Sequence, residues 1–532
     1  RGPIPLEVLA ESTSDLDKVI KSFKPDVIVF GAGKVGLFLA TELFEKGLRV
    51  LVLDKGNPSY SHHISRYAHL LKGQNIADIG RWQQPWVSNV NAPGLAIEVG
   101  GKANFWALWS PQLVSADFLT WPSELVKRYE QNTASICRQL NIGCAPELLM
   151  QALHEHLKEN LKRSQRFTVS DAPYALLHPK GFTGYSPASA FHRALEKDWF
   201  DSQSATGLNP STHRRLLLVS GQDIKQLHTY RDKVIGITVA SNGILNQVDL
   251  PSACLYVIAN STVEATRLSL QSFPTQPMGT NLMVHTRSNL QFRLPEGIHE
   301  WGTREKASQG ASFHLASQHR DHQFHLQLGT IKPGNDPLIL AKLSNLVRLK
   351  IADASEYPEC IYGIVRAVGE MKGSRNSPCA KSYITLSDQL DIFGFPKAYV
   401  HIETTLEEEA VWSHANQAMT NVAQLVAGSN RLEFEFNGQW SETLPLDWET
   451  QVRHGLGTTH HEAGTLYSGT DPFTSVVNCV GQFHHVKNCY VVGGAVLPTA
   501  GSANPCVPIL TLTRVTAQAI AERLQHRSAQ VA

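Results

Sequence analysis

The sequence predicts an α/β fold. A parallel sheet is assembled from separated stretches of the chain and joined to a second, α+β part with a mostly antiparallel sheet. Three observations predict it. Short apolar strands, each followed closely by a loop and a helical pattern, occur near the start, in the middle and at the end of the chain. Much of the intervening sequence alternates polar and apolar residues, as half-buried antiparallel strands do. The 532 residues also exceed what one hydrophobic core usually organises.

Taken in order, residues 1–24 read as a polar lead-in with one short helical pattern from Leu16 to Phe23. Asp26 to Phe30 is an apolar run of the kind buried in parallel sheets. Gly31-Ala32-Gly33-Lys34-Val35-Gly36 follows, and Leu37, Phe38, Ala40, Leu43 and Phe44 then recur with helical spacing up to Gly47. Arg49 to Leu53 is a second buried strand, closed by Asp54. Helical patterns run from Pro122 to Leu140 and from Pro146 to Leu161. Residues 213–259 read as strands that end in the apolar run Leu255 to Ala259, with a helix starting near Ser261. Residues 280–450 read as strands and loops, with period-2 runs such as Phe324 to Leu328. Cys489 to Val492 is another buried strand, followed by Gly493, Gly494 and a last helix from Cys506 to Leu524.

Composition narrows the functional classes. Hydrophobic residues make up 42% and charged residues 18%, with a net charge of +1. No basic stripe is present, so neither nucleic acid nor an anionic membrane surface is an expected partner. The longest like-charge run, Glu407 to Glu409, reads as a short solvated helix face. No apolar stretch reaches the ~18 residues that a bilayer span needs. Arg1 to Glu7 lack the apolar centre of a signal peptide, which makes a cytoplasmic location the expectation. The eight cysteines (137, 144, 254, 360, 379, 479, 489 and 506) show no C-x-x-C and no zinc spacing, and read as free thiols. Among 23 histidines no H-E-x-x-H occurs, and no metal is expected.

Gly31, Gly33 and Gly36 form G-x-G-x-x-G between a strand and a helix, with an acid at the end of the next strand. That is a Rossmann-type dinucleotide-binding unit. Gly31 permits the tight turn, Gly33 lets a pyrophosphate approach the backbone, and Gly36 lets helix and strand pack closely. The helix N-terminus offers unpaired N–H groups to the phosphates. Asp54 is placed to accept hydrogen bonds from an adenosine ribose. The motif does not choose between NAD and FAD.

The C-terminal quarter makes that choice. It reads His461-Glu462-Ala463-Gly464-Thr465, then Gly469-Thr470-Asp471-Pro472 and Ser475-Val476-Val477-Asn478. Further on come the strand before Gly493-Gly494, then Leu497-Pro498-Thr499 and Ala503-Asn504-Pro505. This order resembles the C-terminal signature of the glucose–methanol–choline (GMC) oxidoreductase family, and its glycine pair and Ala-Asn-Pro resemble the pyranose-oxidase-like branch. The resemblance covers about half the chain. It implies a flavoprotein that binds FAD and oxidises a CH–OH group, with His461 and Asn504 facing the flavin. A neutral imidazole suits removal of the hydroxyl proton, and a carboxamide N–H suits the same oxygen. His460 is the competing base, on the view that neighbouring residues cannot point the same way. Asn504-Pro505 also reads as a helix cap and first helical residue.

Val99-Gly100-Gly101-Lys102-Ala103-Asn104-Phe105-Trp106 resembles the family's glycine pair beside the flavin. Gly100, Gly101 and Asn104 therefore join Gly493, Gly494 and Pro505 as expected cofactor contacts. Some members attach FAD covalently through a histidine at the position that Phe105 holds here, so non-covalent FAD is expected. Trp106 and Trp109 are candidates for stacking on a substrate. The expected division assigns 20–110, 213–285 and 455–528 to an FAD-binding domain, and 111–212 and 286–454 to a substrate-binding domain. The expected partners are an alcohol or sugar-like small molecule, and oxygen or another electron acceptor. The alternative is an FAD-containing enzyme of this fold with a net non-redox reaction.

Overall fold

The computed structural model describes residues 4–13, 15–60, 62–65, 82–91, 94–143, 146–149, 151–204, 213–299, 307–317, 324–349, 351, 359–375 and 381–531. Two sheets set its architecture. The first has six parallel strands in the order Glu11–Ser12, Leu216–Ser220, Val50–Leu53, Val27–Phe30, Leu255–Ile258 and Cys489–Val491. Its central strands are buried on both faces, which is why they read as unbroken apolar runs. Val27, Val29, Val50 and Val52 pack under helices Lys34–Glu45, Pro187–Ser204 and Cys506–Val531. Ile28, Phe30, Leu51 and Leu53 face the other way, onto helix Leu16–Phe23 and a three-stranded antiparallel sheet over residues 223–249.

Residues 1–24 are more than a lead-in. Glu11 and Ser12 pair in parallel with Val219 and Ser220 and form the sheet's edge. Asp15 caps the following helix by accepting from Lys18 N, and Leu16, Ile20 and Phe23 are its buried stripe. Helix Pro187–Ser204 was not anticipated. It lies in the stretch assigned to the substrate part, yet it packs on Lys34–Glu45.

The second sheet has seven antiparallel strands in the order 439–441, 433–436, 285–294, 361–370, 324–332, 309–317 and 167–171. Its two faces differ. Leu290, Phe292, Leu294, Leu326, Leu328, Val365 and Ala367 form an apolar back, covered by helix Leu406–Ala427. Reading residues 280–450 as strands and loops misses this helix. It begins with a capping box, in which the Thr405 hydroxyl accepts from Glu408 N and the Glu408 carboxylate accepts from Thr405 N. The run Glu407 to Glu409 is thus the acidic first turn of a long packed helix, where negative charge is favoured, and Glu408 is buried. A second unanticipated helix, Pro337–Val347, starts at the Asp336 cap. On the front of the sheet, residues 285, 287, 289, 291, 325, 327, 364 and 366 alternate with the apolar back and look towards the first sheet.

Six described cysteines are free (137, 254, 360, 479, 489 and 506), while 144 and 379 lie outside the described residues. Among the described residues no helix is long and apolar enough to cross a membrane, and no three His, Cys, Asp or Glu side chains gather as a metal site.

Candidate active site

A cavity of about 1420 Å³ runs from the N-terminal glycine loop to the front of the antiparallel sheet. It exceeds the roughly 300–1,000 Å³ of a single-ligand cleft, which leaves room for a cofactor and a substrate together.

The glycine loop forms one end. Gly31 has φ +114°, which glycine alone adopts readily. A Cβ there would lie 2.7 Å from the Ala259 carbonyl oxygen, and one on Gly36 would lie 1.8 Å from the Gly31 carbonyl oxygen. A Cβ on Gly33 would meet nothing within 4 Å. The loop is therefore closed against the protein and open to the cavity at Gly33. Gly100 N donates to the Ala32 carbonyl, and a Cβ on Gly101 would stand 3.4 Å from Gly33 Cα. The two glycine motifs thus form one surface. Gly31, Gly33, Gly101, Gly493, Gly494 and Pro505 line the cavity, whereas Gly36, Gly100 and Asn104 stand behind its wall. Asn104 is buried, donates to the Val99 carbonyl and accepts from Ser186 Oγ, so it braces the turn.

Asp54 lines the same end and accepts hydrogen bonds from Ala32 N and Gly56 N. Burial pushes its pKa up to about 6, against the pull of those two bonds. Two further polar atoms at the wall, Asn260 Oδ1 and Glu462 Oε1, are buried without a hydrogen-bond partner. A glycine cradle open at one residue, an acid beside it and buried polar atoms awaiting partners fit a dinucleotide.

At the other end, His461 and Asn504 come together with three side chains the sequence did not flag, those of His285, His325 and Gln327. His285 Nε2 is 2.7 Å from the Gly501 carbonyl oxygen, so it must carry the proton. Its Nδ1, then a bare acceptor, lies 2.8 Å from His461 Nδ1, which must donate. His461 Nε2 is left as a lone pair, with Asn504 Nδ2 at 3.5 Å. A second relay fixes the amide. His325 Nδ1 is 2.8 Å from the Ser502 carbonyl oxygen, so its Nε2 accepts from Gln327 Nε2 at 3.0 Å. Gln327 Nε2 also donates to Asn504 Oδ1 at 3.0 Å, which turns the Asn504 N–H groups towards His461. Asn504 therefore does not cap the last helix with its side chain, because its oxygen is engaged across the cavity. Gly501 and Ser502 anchor both relays.

Burial, with His285, His460, Arg287 and Lys34 nearby, holds the His461 pKa well below 6.5. Its imidazole is neutral at pH 7 and free to accept a proton. His460 also lines the cavity. A positive φ of 58° turns its backbone, so neighbouring rings do reach one space, contrary to the sequence expectation. Its ring packs on Trp82 with centroids 5.2 Å apart, and its Nδ1 is buried without a partner. No relay fixes its tautomer. Trp106 and Trp109 line the cavity, but Trp106 donates to the Tyr185 carbonyl and carries Lys34 Nζ 3.4 Å from its ring centroid. Trp109 is almost fully buried against Tyr174.

The anchoring loop rests on acids. Glu370 Oε1 accepts from Gly501 N at 3.1 Å, and Asp117 accepts from Ser502 N. Burial foremost, and then the mutual charge, pushes Glu370 up to about 7 from an ordinary 4.5. A folded-state pKa above the unfolded one favours the protonated fold. That stability is complete below about pH 4.5 and is lost as pH rises through about 7. The thermal stability of wild type should therefore fall as pH rises from about 5 to 7. Glu370→Gln, which keeps the acceptor and removes the charge, should flatten that loss by about 1–3 kcal/mol. Parallel pH profiles for the two proteins would rule this out.

Residues 378–513 match the family model described as GMC oxidoreductase. The 6'''-hydroxyparomomycin C oxidase of Streptomyces lividus is 39% identical over an alignment covering 94% of this chain and 92% of that protein. The paromamine 6'-oxidase of Streptomyces fradiae is 40% identical over 67 residues, 13% of this chain and 12% of that protein. Two solved structures share the fold. Pyridoxine 4-oxidase from Mesorbium loti has a TM-score of 0.61 at 13% identity, covering 93% of this chain and 99% of its own. Formate oxidase from Aspergillus oryzae RIB40 has a TM-score of 0.63 at 11% identity, covering 94% of this chain and 98% of its own. The chain belongs to the GMC oxidoreductase family, whose members depend on FAD.

Proposed function

We propose that this protein binds FAD non-covalently and oxidises a CH–OH group of a sugar or glycoside, with His461 as base and Asn504 as hydrogen-bond donor. The observation that carries this reading is the relay from the Gly501 carbonyl through His285, which leaves His461 Nε2 as a bare lone pair beside an amide N–H. Bound FAD would accept the hydride that leaves the alcohol carbon. The chain's own groups handle the proton. His461 Nε2 takes it from the hydroxyl, and the imidazolium formed donates through Nδ1 to His285. Asn504 donates to the same alcohol oxygen as charge develops there. Gly31, Gly33, Gly101, Gly493 and Gly494 would hold the cofactor's backbone-facing edges, and Asp54 the adenosine ribose. In this reading residues 20–110, 213–285 and 455–528 form the core of the FAD-binding domain, joined by edge strand Glu11–Ser12 and helix Pro187–Ser204, while the substrate-binding domain is drawn from the remainder of 111–212 and from 286–454. The sugar class is supported by the names of the two Streptomyces relatives, and transfer of electrons to oxygen by their being oxidases.

The test is a panel of sugars, glycosides, sterols and simple alcohols, each mixed with the yellow protein without oxygen. At least one sugar-like alcohol should bleach it. Turnover without bleaching by any alcohol would instead favour a net non-redox reaction.

Non-covalent attachment has its own support. Phe105 lines the cavity where a linking histidine would stand, and its ring packs on Tyr60 and Trp82. A phenyl ring offers no nucleophile. Acid precipitation should therefore leave the yellow colour in the supernatant, and colour in the protein pellet would contradict it.

A further inference from the structure

The front of the antiparallel sheet carries more positive charge than the chemistry above uses. Arg287, Arg348 and Arg366 all line the cavity. None has a carboxylate partner within ion-pair distance among the described residues. Arg366 is 94% buried by its 6% exposure, and it donates to the carbonyls of Val347 and Arg348 at the end of helix Pro337–Val347. Arg348 donates to the carbonyls of Phe105 and Trp106. These bonds are structural and leave the charges uncompensated. Arg287 differs. Its one side-chain bond is Nε to Asn289 Oδ1 at 3.3 Å, which leaves its terminal nitrogens facing the cavity.

Register places these groups beside the reacting end. Arg287 is two residues from His285 on the same strand face, about 7 Å along the strand. Across the sheet Asn289, Arg366 and Gln327 stand in one row, and Gln327 is the residue that holds Asn504. Burial holds the pKa of all three arginines down, and Arg287 further depresses Arg348 and Arg366. They remain charged at neutral pH. Unpaired buried cations that repel one another are costly, and an anion in the cavity offsets that cost. The carboxylates lining the glycine end do not supply it. Asp223 pairs with Lys225, Glu264 with Arg267 and Glu462 with Lys102, and Asp54 is engaged by Ala32 N and Gly56 N.

We propose that the substrate is a hydroxylated oxyanion, a carboxylate or a phosphate ester, whose charged group sits on Arg287 and Arg366 while its alcohol carbon lies at His461 and Asn504. This rests on the oxidation proposed above and deepens it. An ammonium group would meet repulsion at the same place.

The experiment uses the full FAD-loaded chain at low ionic strength. Acetate and inorganic phosphate are titrated separately and followed by calorimetry and by the flavin absorbance. At least one anion should bind saturably, with acetate alone pointing to a carboxylate substrate and phosphate alone to a phosphate ester. Arg287→Gln should weaken that binding about 10- to 100-fold, the range for a lost charged hydrogen bond. Arg287→Lys, which keeps the charge, should recover most of it. Arg287 makes one long bond to protein, so both variants should keep FAD, checked by absorbance. Absence of saturable binding of both anions to wild type overturns the proposal, as does binding that Arg287→Gln leaves unchanged. The alcohol panel separates the two readings. Bleaching by neutral sugars without anion binding sinks the oxyanion and keeps the oxidation. Anion binding without bleaching by any alcohol, neutral or acidic, sinks the oxidation and keeps the anion site.

Discussion

Replacing His461 by Ala should slow anaerobic bleaching by an active alcohol ~10²–10⁴-fold while FAD stays bound, the range a positioned general base supplies. The size follows from how the ring is held. His461 Nδ1 donates to His285 Nδ1, which is a bare acceptor because its Nε2–H is committed to the Gly501 carbonyl. Only Nε2 remains to take a proton, and it faces Asn504. No comparable set of bonds holds His460, whose ring rests on Trp82. Stopped-flow bleaching of His461→Ala and His460→Ala decides between them. An unchanged rate for the first with a large loss for the second would reverse the assignment. The pH profile gives a second readout. Burial and the neighbouring charges hold His461 well below 6.5, so the base is already deprotonated at pH 6 to 8. The rate should be flat there and fall only at more acidic pH, where Nε2 protonates. A limb near pH 6.5 would mean that the ring is more solvated than its surroundings imply. His285→Phe should lower the rate less than His461→Ala, because it frees the tautomer without removing the base.

These residues divide by how they could be read in advance. The glycine loop, His461 and Asn504 are legible because each lies in a short contiguous motif whose chemistry is local. His285, His325, Gln327 and Arg287 are not, since they become neighbours only through antiparallel register. The signal was present in period-2 form. His285, Arg287, Asn289 and Gln291 are alternate polar residues of one strand, and His325 and Gln327 are the polar members of a run recognised as a strand from its apolar members. Without knowing what covers that face, alternation says half-buried and no more. Helix Leu406–Ala427 escaped for a different reason. Its buried face is a single stripe, but that stripe holds Glu408, Asn416 and several alanines while Leu406 stands exposed, so the hydrophobic pattern is faint, and only Thr405 and Glu408 marked its start. Residues 1–24 were misjudged because a two-residue edge strand carries too little pattern to see.

Gly33→Val should give a folded, colourless protein, with FAD affinity more than about 100-fold weaker, or over 2.7 kcal/mol. Gly33 has φ −78°, which any L-residue adopts, and a Cβ there meets no protein atom within 4 Å. A valine therefore costs the fold little and fills the space a pyrophosphate would take. Its melting temperature should match that of deflavinated wild type, because the difference between holo- and apoprotein is the bound cofactor. Gly36→Ala should behave in the opposite way. Its methyl would lie 1.8 Å from the Gly31 carbonyl oxygen, with the Gly31 carbonyl carbon at 3.0 Å, so the helix must move off the strand. Overpacking of this kind costs about 1–3 kcal/mol or more, whether or not FAD is present. Melting curves with and without added FAD separate the two mechanisms. Gly33→Val should be indistinguishable from apo wild type and insensitive to FAD, while Gly36→Ala should fall below apo wild type. A yellow Gly33→Val of wild-type stability would mean that no phosphate approaches that loop, and the cofactor would have to enter the cavity in another orientation.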